Sequence, residues 1–258
     1  MLSRRKLLAC AAAVAATPAF AADAEIIKTV TIVSRPVGSS PERFIRRLLT
    51  EYAPLAKRLP NQRGLIISGV VKAQRRNDVK LLEVGPFDAI IDAYYASVAD
   101  QERAASSIAG RALDAATSRL VGTARRFVTR ETVIVPLPVG ARPEVVGLSF
   151  VMRPRGISVA GFRHEWIDVH GPMAKQVPYL RGFTVSERLS DGIVPSVTPL
   201  IMDGPLDGFT ESWVDNVEGR ANMVATPQAK RWYAHGAEIF GKIRTDLLIE
   251  HVMQPVAF

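Results

Sequence analysis

Two stretches of this chain are copies of one another. Residues 35–64 read RPVGSSPERFIRRLLTEYAPLAKRLPNQRG and residues 153–182 read RPRGISVAGFRHEWIDVHGPMAKQVPYLRG. Moving the first forward by 118 positions aligns them without a gap. Of the 30 positions 11 then agree: Arg, Pro, Gly, Ser, Phe, Pro, Ala, Lys, Pro, Arg and Gly. Unrelated stretches would share about two, given average residue usage. Further on, a shift of 119 lays Gly85-Pro86-x-Asp88 on Gly204-Pro205-x-Asp207 and Glu131 on Glu250. A duplicated chain must build one unit twice, so every assignment in one half is tested by the other.

The first half predicts a strand at 29–34 (TVTIVS, alternating and β-branched) and a helix capped by Ser40 with Pro41 at its first position. Pro54 should end or kink that helix. Strands follow at 64–71 and 87–94, with a polar hairpin loop at 74–80 between them. An Ala-rich helical stretch at 96–125 should break near Gly110, and a strand at 127–135 closes the half. PLPVGARP, at 136–143, is the linker. The second half predicts the same order: strand 147–152, helix 158–171, strand 182–189, a Gly- and Pro-rich loop at 190–205, strand 208–214, helical residues 217–244 and strand 247–253. Each half is thus β-α-β-β-α-β, the ferredoxin-like order. Such a sheet carries helices on one face only, and its bare face must be covered. The nearest cover is the other half, so the expected fold is α+β, with two ferredoxin-like repeats packed sheet to sheet as an internal pseudo-dimer.

Composition narrows the function classes. The net charge of +8 includes Arg4, Arg5 and Lys6, and the remaining basic residues are spread along the chain. Clusters as short as Arg75-Arg76 and Arg125-Arg126 describe a solvated surface, so no nucleic-acid partner is expected. MLSRRK, an apolar run at 7–16 and Ala19-Phe20-Ala21 form an export signal over residues 1–21, with twin-arginine character and cleavage after Ala21. The expected location is periplasmic or secreted, with no membrane attachment once the signal is removed. Cys10 is the only cysteine. The mature chain therefore has no disulfide, thiolate nucleophile or cysteine-bound zinc.

Residues 162–172, FRHEWIDVHGP, resemble the F-x-x-x-W-x-x-x-H-x-P signature of the EthD family, in the dimeric α+β barrel superfamily. Arg181-Gly182 and the strand Phe209-Thr210-Glu211-Ser212-Trp213 fit the resemblance. It covers about 145–256 and extends through the internal repeat to a divergent copy at about 29–138. The resemblance implies a pseudo-dimeric α+β barrel. It also implies activity, largely without cofactor, on small aromatic, lactone or polyketide-like compounds, by isomerisation, dehydration or decarboxylation. The first copy departs from the signature: Leu48 stands for Trp166, Tyr52 for His170 and Arg46 for His164. Only the second copy can carry the site, and the first reads as a structural partner.

All four histidines, His164, His170, His235 and His251, lie in that second half. At 100° per residue, Phe162, Trp166, Val169 and Met173 share one helix face. His170 falls on its flank, while His164 and Asp168 point away. His170 is the expected catalytic acid and base, because imidazole exchanges protons near neutral pH. Glu211 or His251 is expected to orient it. Trp166, Phe209 and Trp213 are expected to wall the substrate pocket, and His235 to cap it. The duplicated arginines, Arg35/Arg153 and Arg63/Arg181, read as structural. No metal-ligand cluster, phosphate loop or Gly-x-Ser-x-Gly appears. The expectation is an exported, cofactor-independent lyase or isomerase acting on a small hydrophobic, aromatic or lactone-like molecule, with the pseudo-dimer free to oligomerise. Its rivals are a periplasmic binding protein for a hydrophobic metabolite or haem, and a non-catalytic accessory protein.

Overall fold

A computed structural model describes residues 26–74, 76–138 and 142–257. The export signal read at residues 1–21 lies outside the described residues. The first repeat runs β1 (Ile26–Val33), α1 (Pro41–Arg47), a π-helical turn (Leu48–Tyr52), α2 (Ala53–Ala56), β2 (Gly64–Gln74), β3 (Ala89–Tyr95), α3 (Val98–Ser106), α4 (Ile108–Leu120) and β4 (Thr123–Val135). The second runs β5 (Val145–Met152), α5 (Val159–Arg163), a π-helical turn (His164–His170), α6 (Gly171–Met173), a 3₁₀ turn (Ala174–Gln176), β6 (Gly182–Gly192), the two-residue β7 (Thr198–Pro199), β8 (Gly208–Val214), α7 (Val217–Ala225), α8 (Pro227–Ile239) and β9 (Lys242–Gln254).

Local chemistry accounts for the helix ends. Ser40 and Ser158 each accept a hydrogen bond from the backbone N–H three residues on, as N-caps do. The long helical stretch of the first repeat breaks at Ser107, three residues before Gly110. Ser107 ends α3 and its hydroxyl caps α4 through the Gly110 N–H. Thr226 does the same between α7 and α8. Helical structure in the second repeat ends earlier than the expected 244, and the last strand begins at Lys242.

Within each repeat the strand order is the ferredoxin-like one: β4-β1-β3-β2 and β9-β5-β8-β6. The two sheets then join at their edges, β2 with β9 and β4 with β6. Eight antiparallel strands thereby close into a barrel, and β7 adds a short parallel pairing beside β4. Closure covers the bare faces as expected, and it also removes the free sheet edges. The lumen is packed with side chains, not hollow. Phe87, Phe127, Phe150 and Phe209 meet edge to face, with centroids 5.3–5.5 Å apart. The helices lie outside, and each repeat has its own core between helices and sheet.

The repeated Arg-Pro and Asp positions are structural. Arg35 pairs with Asp88 and Arg153 with Asp207, and each aspartate also accepts the arginine's backbone N–H, at 2.8 and 2.7 Å. The pair ties the end of the first strand to the start of the third in both copies.

Candidate active site

Both signature helices contain a proline at matching positions, Pro54 and Pro172. Proline has no N–H and clashes with the carbonyl four residues back. The helix neither ends nor simply kinks there. It widens, so that the Ala53 N–H bonds the Leu48 oxygen and the Gly171 N–H bonds the Trp166 oxygen, five residues back. A π turn winds by less per residue than an α turn. Phe162, Trp166 and His170, four apart, therefore come onto one inward face, and Val169 turns out to solvent. His170 is not on the flank of the buried face but within it, 4% exposed.

There it meets α8. The Nδ1 atoms of His170 and His235 lie 3.2 Å apart. The His170 ring lies nearly parallel to those of Trp232 and His235, at centroid distances of 5.5 and 5.4 Å, and the edge of Phe240 closes a third side. Burial among these rings, then His235 and Arg76 nearby, lowers the His170 pKa to about 3. The ring is neutral at working pH. With His170 neutral, its Nδ1 can donate to or accept from the Nδ1 of His235, so a proton can pass between the two rings.

His170 borders a cavity of about 420 Å³ between the outer face of the sheet and the helices, a volume within the range of small-molecule sites. Its floor is polar: Ser149, Thr210, Ser212 and Thr245. Phe183, Phe240, Trp232 and Ile243 supply apolar walls. Lys72, Gln74 and Arg76, from β2 and the hairpin beyond it in the first repeat, reach across to the rim, and Arg220 projects from α7. Trp232 and Tyr233 line the cavity, while the indole N–H of the one and the hydroxyl of the other are buried and have no hydrogen-bond partner among the described residues.

The same place in the first repeat holds about 30 Å³, room for one water. The internal alignment explains the difference. Tyr52 stands for His170, Leu113 for Trp232, Arg126 for Thr245 and Gln101 for Arg220. Where the first hairpin lays Arg76 at the mouth of the second cavity, the second hairpin pushes Val194, fully buried, into the first repeat's core. One cavity of the duplicated pair has been filled and the other kept.

Several expected site residues are elsewhere. Phe209, Glu211 and Trp213 are on β8, but successive strand residues face opposite ways. Thr210 and Ser212 face the cavity, which turns Phe209, Glu211 and Trp213 into the barrel lumen. Phe209 and Trp213 belong to the lumen core and cannot wall the pocket. Glu211 pairs with Lys28 and accepts from Thr184 Oγ1 at 3.3 Å, so it does not orient His170. His251 lies on β9 opposite Ile67, beside the first repeat, and does not reach the imidazole either. Trp166 is 1% exposed, packed on Phe162 at 5.2 Å and over Gly208, where a Cβ would lie 2.9 Å from its ring. It is core, outside the cavity wall. His164 is on the surface, paired with Asp168 at 3.1 Å. His235 does approach the site, as His170's partner. The residues that sequence reading missed are Arg76, Phe183, Arg220 and Phe240. Their signal was available as positions where the two copies differ.

Residues 154–242 match the model of the EthD domain. The second repeat carries an EthD domain. The match takes in the π turn, both helices α7 and α8 and every cavity residue of β6 and β8. A search of curated proteins finds no match to the chain. Among solved structures, the EthD-bearing chain is similar to an anthrone oxidase-like protein, at 11% identity and a TM-score of 0.59, over 91% of this chain and 96% of that one. It is also similar to a candidate monooxygenase from Lactobacillus acidophilus, at 11% identity and TM-score 0.55, over 91% and 98%. These likenesses, at such low identity, show a shared fold: the α+β barrel over nine-tenths of the chain.

Proposed function

We propose that the second repeat is a cofactor-free acid–base catalyst, a lyase or isomerase for a small aromatic or lactone-like compound. The observation that supports this is a buried, neutral His170 bordering a 420 Å³ cavity, with His235 at hydrogen-bond distance behind it. Neutral imidazole takes a proton from the substrate. The positive charge that results is costly where the ring is buried, so the proton moves on to the half-exposed His235 or back to a different substrate atom. Either path makes His170 a transient carrier, and a low pKa makes its protonated form a strong donor. Trp232 and Phe183 would hold a planar substrate against the polar floor. Removal of an acidic C–H proton is a step that would also serve an oxidation, the chemistry named for the anthrone oxidase-like protein.

The test is turnover of candidate lactones and phenolic compounds, followed by absorbance and by oxygen uptake together. Since positioned proton transfer contributes about 10²- to 10⁴-fold, H170A should lose at least about 100-fold in kcat on a compound that the parent converts. A variant as active as the parent would sink the role of His170.

A further inference from the structure

Arg220 is an arginine buried to 6% exposure with no carboxylate beside it. Its Nε donates to Gln74 Oε1 at 3.2 Å and its Nη1 to Ser212 Oγ at 3.0 Å. Both acceptors are neutral, and a guanidinium has five N–H donors in a planar fork. No ion pair to Arg220 occurs among the described residues, and it borders the cavity. Lys72 and Arg76 stand at the rim of the same cavity, and none of the lining residues is Asp or Glu. A buried charge without a counter-charge is unfavourable unless a partner of opposite sign arrives.

The fold makes room for this arginine deliberately. Gly147 on β5 lies beneath it, and a Cβ there would sit 3.3 Å from both Cζ and Nη1 and 2.9 Å from Ser212 Oγ. In the first repeat, whose cavity is filled, Gln101 replaces the arginine and Thr29 the glycine. Charge and clearance are thus present together in the copy that kept its cavity and absent together in the other.

We infer that Arg220 binds an acid group of the substrate, so that the cavity selects a planar aromatic carboxylate over its neutral analogues. This rests on the cavity being the substrate site, and it defines the substrate class for that site. The carboxylate accepts from the unused edge of the guanidinium, and the aromatic part lies along Trp232 and Phe183, toward His170. Arg76 at the rim adds to the attraction, but its guanidinium is already engaged by Asp78 and the Tyr233 carbonyl. Lys72 is exposed to solvent at the rim, which leaves Arg220 as the buried cation for the ligand.

Binding by the full-length protein separates this from the catalytic reading. Benzoate and 1-naphthoate are titrated against benzamide and 1-naphthamide, by calorimetry and by tryptophan fluorescence. The parent should bind at least one acid about tenfold or more tightly than its amide, since hydrogen bonds to charged groups are the stronger ones. R220Q, which copies the first repeat, should level the two affinities, and R220K should keep part of the preference. H170A should keep all of it, whatever happens to turnover. Equal affinities in the parent, no binding of either acid at millimolar concentration, or a preference that survives R220Q overturns the assignment. The parent measurement stands by itself should R220Q fail to fold.

Discussion

At the residue scale, the lumen holds an imbalance of charge that the sequence conceals. Lys28, fully buried, lies 2.7 Å from Glu131 and pairs also with Glu211. Glu250 is held by Arg142 and by the Trp213 indole N–H at 3.0 Å. Asp92 stands among these acids, its Oδ1 without a partner. Burial, then Glu211, Glu131 and Glu250, raise its pKa well above the ordinary value despite Lys28. The folded state therefore keeps a proton on Asp92 that the unfolded chain releases near pH 4. That proton favours folding fully below the unfolded pKa, and the advantage is lost as pH rises toward the folded one. Asp92→Asn removes the penalty. We expect it to stabilise the protein at pH 7 by about 1–2 kcal/mol, or about 2–8 °C in Tm, with the gain vanishing at pH 4. Melting curves at both values check this; a destabilised variant at pH 7 would show that Asp92 is ionised and paired. Glu211 was readable as an acid among aromatics, but its partner lies 183 positions away, on the other repeat. No spacing rule reaches that far.

Individual elements show where periodicity helps and where it misleads. Strand and helix order, the Ser40 cap and the structural part of Arg35 and Arg153 were legible, because each depends on residues near in sequence or doubled by the repeat. The facing of His170 was not. A wheel drawn at 3.6 residues per turn puts Val169 inside and His170 on the flank, whereas the π turn forced by Pro172 reverses them. The proline is the cause and is visible in the sequence, but whether a helix ends, kinks or widens depends on what its next turn packs against. Restoring the N–H with Pro172→Ala should let the helix tighten toward an α turn and rotate His170 toward solvent. In an NMR titration its pKa should then climb from about 3 toward the usual value near 6.5. A ring that stays as depressed as in the parent would mean that packing alone, without proline, holds the wide turn.

For the whole molecule, the decisive feature is edge pairing between the halves. β2 bonds to β9 along its length and β4 to β6, so each repeat completes the other's sheet. Each also supplies part of the other's interior: Lys28 neutralises Glu211, and Arg76 from the first hairpin reaches the second cavity. Residues 145–257 expressed alone would present two bare strand edges and an uncovered lumen face, with Glu211 deprived of Lys28. Such edges pair with whatever is at hand. We expect the isolated second repeat to associate or to remain unfolded, as read by light scattering and circular dichroism. A stable, folded monomer of that fragment would contradict the claim that the halves are interdependent.

The duplication, visible in the residues alone, determined that this chain builds two like α+β units and that only the second could hold a histidine-based site. It did so because local propensity and repeat spacing are encoded in neighbouring residues. Tertiary structure decided the rest. Strand parity sent Phe209, Glu211 and Trp213 into the lumen, the π turn brought His170 to the cavity, and barrel closure carried Lys72, Gln74 and Arg76 to its rim. These outcomes depend on which face of a strand or helix meets a distant partner, and a single residue of phase reverses each of them.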